Sequence, residues 1–355
     1  VTFLTRATLA KSGAKPAPGS LVFGGAPAEY GVPLAEAEVA AMQALSRATL
    51  EKAGLSKSDR VLFAVAQDGS PSVGLLAQAA APLVTSVAQT SPRGRLRLLS
   101  TIRALKPNVL VATPCGAADF LARLYMEFNV DPIELELTKV LLVGEIASKG
   151  VRKRIGKEFE ADVSEVYADP IFGAALAVRR GGAWAVADER ALALASAGRD
   201  EIVAEGVAGE GELLLRPHWS AALGGAAIRT GQVIRGDTGD AGLFNHTVGD
   251  HVLARGQFVS LLALRRQLAL IDGIARWTLT LDRGDRTLDN LQLTVAFDRE
   301  TLVNNPMWKG RIQQAIAAAT PVQVEVKTEL AQADALGEKE TIDDRRGHHL
   351  GVARA

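Results

Sequence analysis

The sequence holds a single cysteine, Cys115, among 355 residues, so no disulfide can close within the chain. That fits a reducing, cytoplasmic setting. No apolar run reaches the ~18 residues of a spanning helix, so no membrane partner is expected. The opening VTFLTRATLAKSGAKPAPGS lacks the apolar core and cleavage site of a secretory leader. Net charge is absent too, with 40 Lys and Arg against 40 Asp and Glu. Nothing global then draws the chain to nucleic acid. Its most basic run, RGRLRLLSTIR with Arg93, Arg95, Arg97 and Arg103, has no interleaved aromatics to stack bases and reads as a solvated helix face. The histidines, at 218, 246, 251, 348 and 349, form no ligand pair on a helix, and no metal site is expected. Cys115 follows an apolar strand with no histidine close by and reads as a packed side chain.

What is present is a regular alternation. LAEAEVAAMQALSRATLEKA (34 to 53) has helical spacing and ends at Gly54. Apolar strands then alternate with helices through RVLFAVA, NVLVATP, TKVLLVGE and DVSEVYA. Near-continuous apolar strands separated by helices of this length predict a mainly parallel sheet covered on both faces. After about residue 175 the strands become shorter and more alternating, as in GAWAVADER and GELLLRP, which predicts a smaller strand-rich subdomain. The glycine-rich GQVIRGDTGDAGLFNHTVGDHVLARG reads as a boundary. Beyond it, helix, two strands, helix and strand make a small α+β unit. The fold class is therefore α/β: a large N-terminal domain over 1–250, a small α+β domain over 251–346 and a loose tail over 347–355.

Several strings, in order, resemble the phenylacetate-CoA ligase family of adenylate-forming enzymes. VLLVGEIASKGVRKRIGKEF is similar to the segment that carries the motif glutamate, here Glu145. DVSEVYADPIFG is similar to the tyrosine motif, with Tyr167. GEGELLLRPHWSAALGGAAIRTGQVI matches at Gly211, Glu212, Arg229 and Thr230. VGDHVLARGQFV resembles the interdomain hinge at Asp250, Arg255, Gly256 and Val259. The resemblance runs from about 20 to 346. It implies activation of a small organic or aryl acid with ATP and Mg²⁺ through an acyl-adenylate, transfer to CoA, and a homodimer.

The positions that would hold MgATP depart from the family. The phosphate loop falls on VFGGAPAE: Gly24 matches, Ala28 stands for the lysine, and Glu29 adds a charge that repels phosphate. The metal glutamate falls on Ile171, the ribose aspartate on Gln232 and the catalytic lysine on Gly337. Asp169 and Lys339 are the nearest stand-ins for catalysis. Glu145, Tyr167, Arg229, Gln232, Asp250, Arg255 and Gly24 remain the candidate nucleotide and CoA contacts. Two readings follow. One is a degenerate relative that binds an acid, CoA or a partner enzyme without MgATP turnover. The other is a divergent ligase that is still active.

Overall fold

The computed structural model describes residues 2–9, 15–24, 31–65, 72–91, 94–180, 184–196, 198–236, 243–283, 288–331 and 339–352. The chain opens with β1 (Thr2–Leu4), a short helix α1 (Arg6–Leu9) and a hairpin of β2 (Leu21–Gly24) and β3 (Gly31–Leu34). Next come α2 (Glu36–Lys52), β4 (Arg60–Ala64), α3 (Ser72–Ala80), β5 (Ser86–Gln89), α4 (Arg95–Leu105), β6 (Val109–Ala112) and α5 (Pro114–Arg123). β7 (Lys139–Val143), α6 (Lys149–Phe159), β8 (Asp162–Ala168), β9 (Ala175–Arg180) and β10 (Trp184–Val186) complete the first sheet, in the order β10-β9-β8-β7-β6-β4-β5. From β5 to β8 the neighbours are parallel, and β9 and β10 turn antiparallel at the edge.

Both faces of this sheet are buried, as its apolar strands require. Val61 and Phe63 pack with Leu50 and Leu76 on one face. Leu62 and Ala64 pack with Leu98, Ile102, Phe120 and Ile155 on the other. Local chemistry sets the helix ends. Lys106 takes a left-handed conformation (φ 44°) at the end of α4, just before Pro107. Thr113 caps α5 by accepting from the Gly116 N–H at 3.1 Å, with Pro114 in the first turn.

A second sheet follows, from β11 (Leu192–Ala195), β12 (Ile202–Glu205), β13 (Gly211–Leu215), β14 (Ala226–Ile234) and β15 (His246–Thr247). Its order is β1-β14-β13-β11-β12, with β15 also on β14. Tyr167, Leu194, Leu213, Ile228 and Phe244 share the core between this sheet and the first.

The last unit has its own core, drawn wholly from residues 252 to 326. It begins with the hairpin β16 (His251–Ala254) and β17 (Gln257–Ser260), then α7 (Leu261–Leu268), β18 (Ile274–Asp282), β19 (Asn290–Phe297), α8 (Glu300–Val303), α9 (Pro306–Ala319), β20 (Glu325–Leu330) and β21 (Glu340–Asp344). The sheet order is β20-β19-β18-β21.

Three local details come from the structure. The loop after β2 does not lead into a helix. It joins two antiparallel strands, Leu21 opposite Leu34 and Gly24 opposite Gly31, and α2 starts only at Glu36. Pro33, which lacks a donor, sits in this two-stranded hairpin. The helix through GAADFLARLYMEF loosens into a π turn over Leu124–Phe128, ended by Asn129 at φ 48°. The tail expected to be loose from 347 instead makes backbone hydrogen bonds from His348 to Gly351.

Candidate functional site

Tyr167 and Gln232, expected from the sequence at nucleotide positions, are buried. Tyr167 ends β8 and Gln232 lies on β14, and the Tyr167 hydroxyl donates to Gln232 Oε1 at 2.8 Å. They are 3% and 2% exposed. The Tyr167 ring meets Phe244 edge-on, with centroids 6.2 Å apart. Burial raises the tyrosine's pKa far above its ordinary value. Beside it, Gly144, Glu145, Tyr167, Trp184, Leu243 and Phe244 line a small pocket of about 20 Å³, which is room for about one water.

Asp169 and Ile171 follow in the turn after β8. The Asp169 carboxylate accepts the N–H groups of Ile171, Phe172 and Ala174 at 2.7 to 2.9 Å, and so shapes its own loop. Burial lifts its pKa to about 6 despite these donors. Ile171 is fully buried in the apolar core. Lys339 stands just before β21 on the other unit, exposed, and its carbonyl accepts from the Trp277 N–H. Among the described residues no group of three His, Cys, Asp or Glu side chains could hold a metal.

Arg229 and Asp250 line a second small cavity of about 40 Å³. Arg229 is 3% exposed and its Nη1 donates to Glu212 Oε2 at 2.6 Å, tying β14 to β13. Asp250 accepts from Arg265 on α7 at 3.1 Å. Gly24 lies at the end of β2, and Gly25 to Tyr30, with Ala28 and Glu29, lie outside the described residues, as does Gly337.

The large opening lies between the two units. A cleft of about 750 Å³ runs between α4 and α5 on one side and the β16–β17 turn and α9 on the other. That volume is within the range of small-molecule sites. Its polar lining includes Arg95, Asp119, Arg255, Gln257, Gln313 and Gln323, and its apolar lining includes Phe120, Ile316 and Val322. Arg95 Nε donates to Asp119 Oδ2 at 2.7 Å. Cys115 also borders the cleft, but burial and the Glu145 charge push its thiol pKa well above the ordinary value.

Contacts across the cleft are close. Arg255 and Gly256 both have positive φ, 52° and 72°, which makes a type I′ turn. A Cβ on Gly256 would lie 2.7 Å from Thr113 Cγ2, so the turn presses on the cap of α5. Glu145 Oε2 accepts the Cys115 N–H at 2.8 Å in the first turn of the same helix, where a carboxylate is favoured. Its Oε1 has no hydrogen-bond partner among the described residues, and Arg283 Nη2 from the other unit lies 3.9 Å away. Burial, then the Asp289 charge, raises the Glu145 pKa. Asp289 is fully buried and accepts from Arg283 Nε at 2.9 Å, Arg346 Nη1 at 2.7 Å and the Arg255 N–H at 3.2 Å.

Of the predicted site residues, the fold joins Tyr167 to Gln232 and brings Glu145 to the small pocket that Tyr167 lines. It places Arg229 with Asp250 elsewhere, and Arg255 alone on the cleft. Sequence reasoning missed Asp119, Gln313, Gln323 and Asp289, and treated Arg95 as solvated surface. The i+4 charge pairing of Asp119 with Arg123, seen at 3.8 Å, was the one legible signal among them.

No protein-family model and no curated protein matches the sequence. Solved structures do match. A 2-hydroxyisobutyryl-CoA ligase in complex with 2-HIB-AMP and CoA in the thioesterification state overlays with TM-score 0.79 at 14% identity, over 97% of this chain and 80% of that one. The same ligase in the postadenylation state overlays with TM-score 0.56 at 16% identity, over 98% and 80%. The amide bond synthetase McbA from Marinactinospora thermotolerans gives 0.65 at 14% identity, over 92% and 69%. The chain has the α/β fold of the adenylate-forming CoA ligases.

Proposed function

We propose that this is a phenylacetate-CoA ligase-like protein that does not activate acids with MgATP, and that it binds CoA or an acyl-CoA thioester in the interdomain cleft. One contrast supports the reading: the pocket beside Tyr167 has room for about 20 Å³, whereas the cleft offers about 750 Å³. Adenosine does not fit where Tyr167, Gln232 and Phe244 close on one another. Mg²⁺ does not fit where Ile171 stands, since an aliphatic side chain offers no ligand atom. The Asp169 carboxylate is already occupied by three backbone donors.

The cleft suits a pantetheine arm better. Phe120, Ile316 and Val322 give its methylene chain an apolar wall, and Gln313 and Gln323 face its amides. Arg95 and Arg255 lie where cations can meet the phosphates. The overlay with a ligase whose structure holds CoA supports this reading of the cleft. The acyl group, from a small organic or aryl acid, would then be activated elsewhere, by a partner enzyme. The protein works as a homodimer or with that partner.

Titration calorimetry tests the proposal. CoA should bind with micromolar affinity, and the Arg255→Ala variant should weaken it about tenfold. Pyrophosphate release from MgATP across a panel of aryl acids should be absent. Magnesium-dependent ATP binding or pyrophosphate release would sink the proposal.

A further inference from the structure

The segment after β21 touches both units. Its root belongs to the second: Arg346 donates to Asp344 and Asp289, and the His349 N–H donates to Asp344 Oδ2 at 3.0 Å. Its end belongs to the first. The Thr247 N–H donates to the His348 carbonyl at 2.7 Å, and the Leu350 N–H donates to the Thr247 carbonyl at 2.8 Å. The Gly249 N–H donates to the Gly351 carbonyl at 2.9 Å. Thr247 pairs with His349 in parallel register, and Thr247 Oγ1 lies 3.1 Å from His349 Nδ1. Residues 348–351 thus extend the six-stranded sheet by one short strand beside β15.

Thr247 to Gly249 precede Asp250, where the chain leaves the first core for the second. A rotation of the second unit about this crossing would carry Asp344 and Arg346 with it. Four residues beyond Arg346, Leu350 is bonded to the first unit, so the segment bridges both units beside the crossing. The contacts of Gly256 on Thr113 and of Arg283 near Glu145 also join the two units in this orientation.

We propose that residues 345–351 are a strap that holds the two units in the orientation that forms the cleft, with Thr247 and His349 as its positioning residues. The protein then keeps one domain arrangement instead of alternating between two. The inference concerns domain placement and stands whether or not the cleft takes CoA.

Electron-electron distance measurements test it without any ligand. Cysteines replace exposed Arg103 on α4 and Lys309 on α9 and carry spin labels, and the native Cys115 is buried. The full chain should give one narrow distance distribution. A chain ending at Gly347 should broaden it or add a second peak. So should Leu350→Pro, which removes one strap donor at an exposed position. A broad distribution in the full chain would overturn the proposal. So would narrow, unchanged distributions in either folded variant.

Discussion

The hydroxyl of Tyr167 and the side-chain oxygen of Gln232 lie 2.8 Å apart in the buried core. The two residues come from different sheets, and their bond closes the place where the resemblance to CoA ligases puts a nucleotide. Tyr167→Phe removes the donor and leaves Gln232 Oε1 buried without it. Such a loss costs about 1–3 kcal/mol. The variant should unfold at lower denaturant with CoA binding unchanged. Chemical denaturation followed by circular dichroism checks the first point and calorimetry the second.

Gly256 is constrained twice, by its φ of 72° and by Thr113 beneath it. Gly256→Val would strain the backbone and push the turn off the cap of α5. Removing glycine from a left-handed position costs about 1 kcal/mol or more. The larger effect falls on the cleft, whose wall moves. CoA affinity should drop while the melting of the first unit stays near that of the parent, as seen by calorimetry and a thermal scan.

Asp289 gathers two guanidinium groups and a backbone N–H while fully buried. Asp289→Ala would leave Arg283 and Arg346 without their shared anion. Breaking a buried pair in this way costs about 3–5 kcal/mol. The second unit should melt first, and proteolysis should cut between β18 and β19 before it cuts the parallel sheet.

Acid should loosen the strap. Burial, with the Arg346 charge, holds His348 and His349 at about 4, below the ordinary 6.5. Asp344 opposes this for both. Arg283 and Asp289 also face His348, and Asp250 and His251 face His349. The docked histidines bind fewer protons than released ones between those two values, so docking is full above about pH 6.5 and weakens as pH falls towards 4. Asp169 runs the other way: its pKa is raised from 3.8 to about 6, so its share of fold stability falls as pH rises through that interval. The spin-label distance therefore reports the strap more cleanly than a melting curve. It should broaden at pH 5 relative to pH 7.5; an unchanged distribution would contradict the assignment.

The parallel sheet was legible because VLVA and KVLLV are apolar without interruption, and only strands buried on both faces require that. The cap of α9 is local in the same way: Asn305 accepts from the Met307 N–H at 3.0 Å, with Pro306 in the first turn. The β2–β3 hairpin was not legible, because GVPL is short and runs directly into the helical pattern that begins at Leu34. Nor was the closing of Tyr167 on Gln232. They are 65 residues apart, and only the pairing of two sheets brings them together. Asp289 carried no sign of its role, because two of its three donors, the Arg255 N–H and Arg346, lie far from it in the chain. The strap was missed because charge and histidine in a terminal segment read as solvent-exposed.

The proposal that the protein takes CoA and not MgATP is tested most directly by titrating it with CoA and, separately, with ATP in the presence of Mg²⁺. Saturable CoA binding and no heat from MgATP are expected. Micromolar MgATP binding that disappears on chelating magnesium would contradict it.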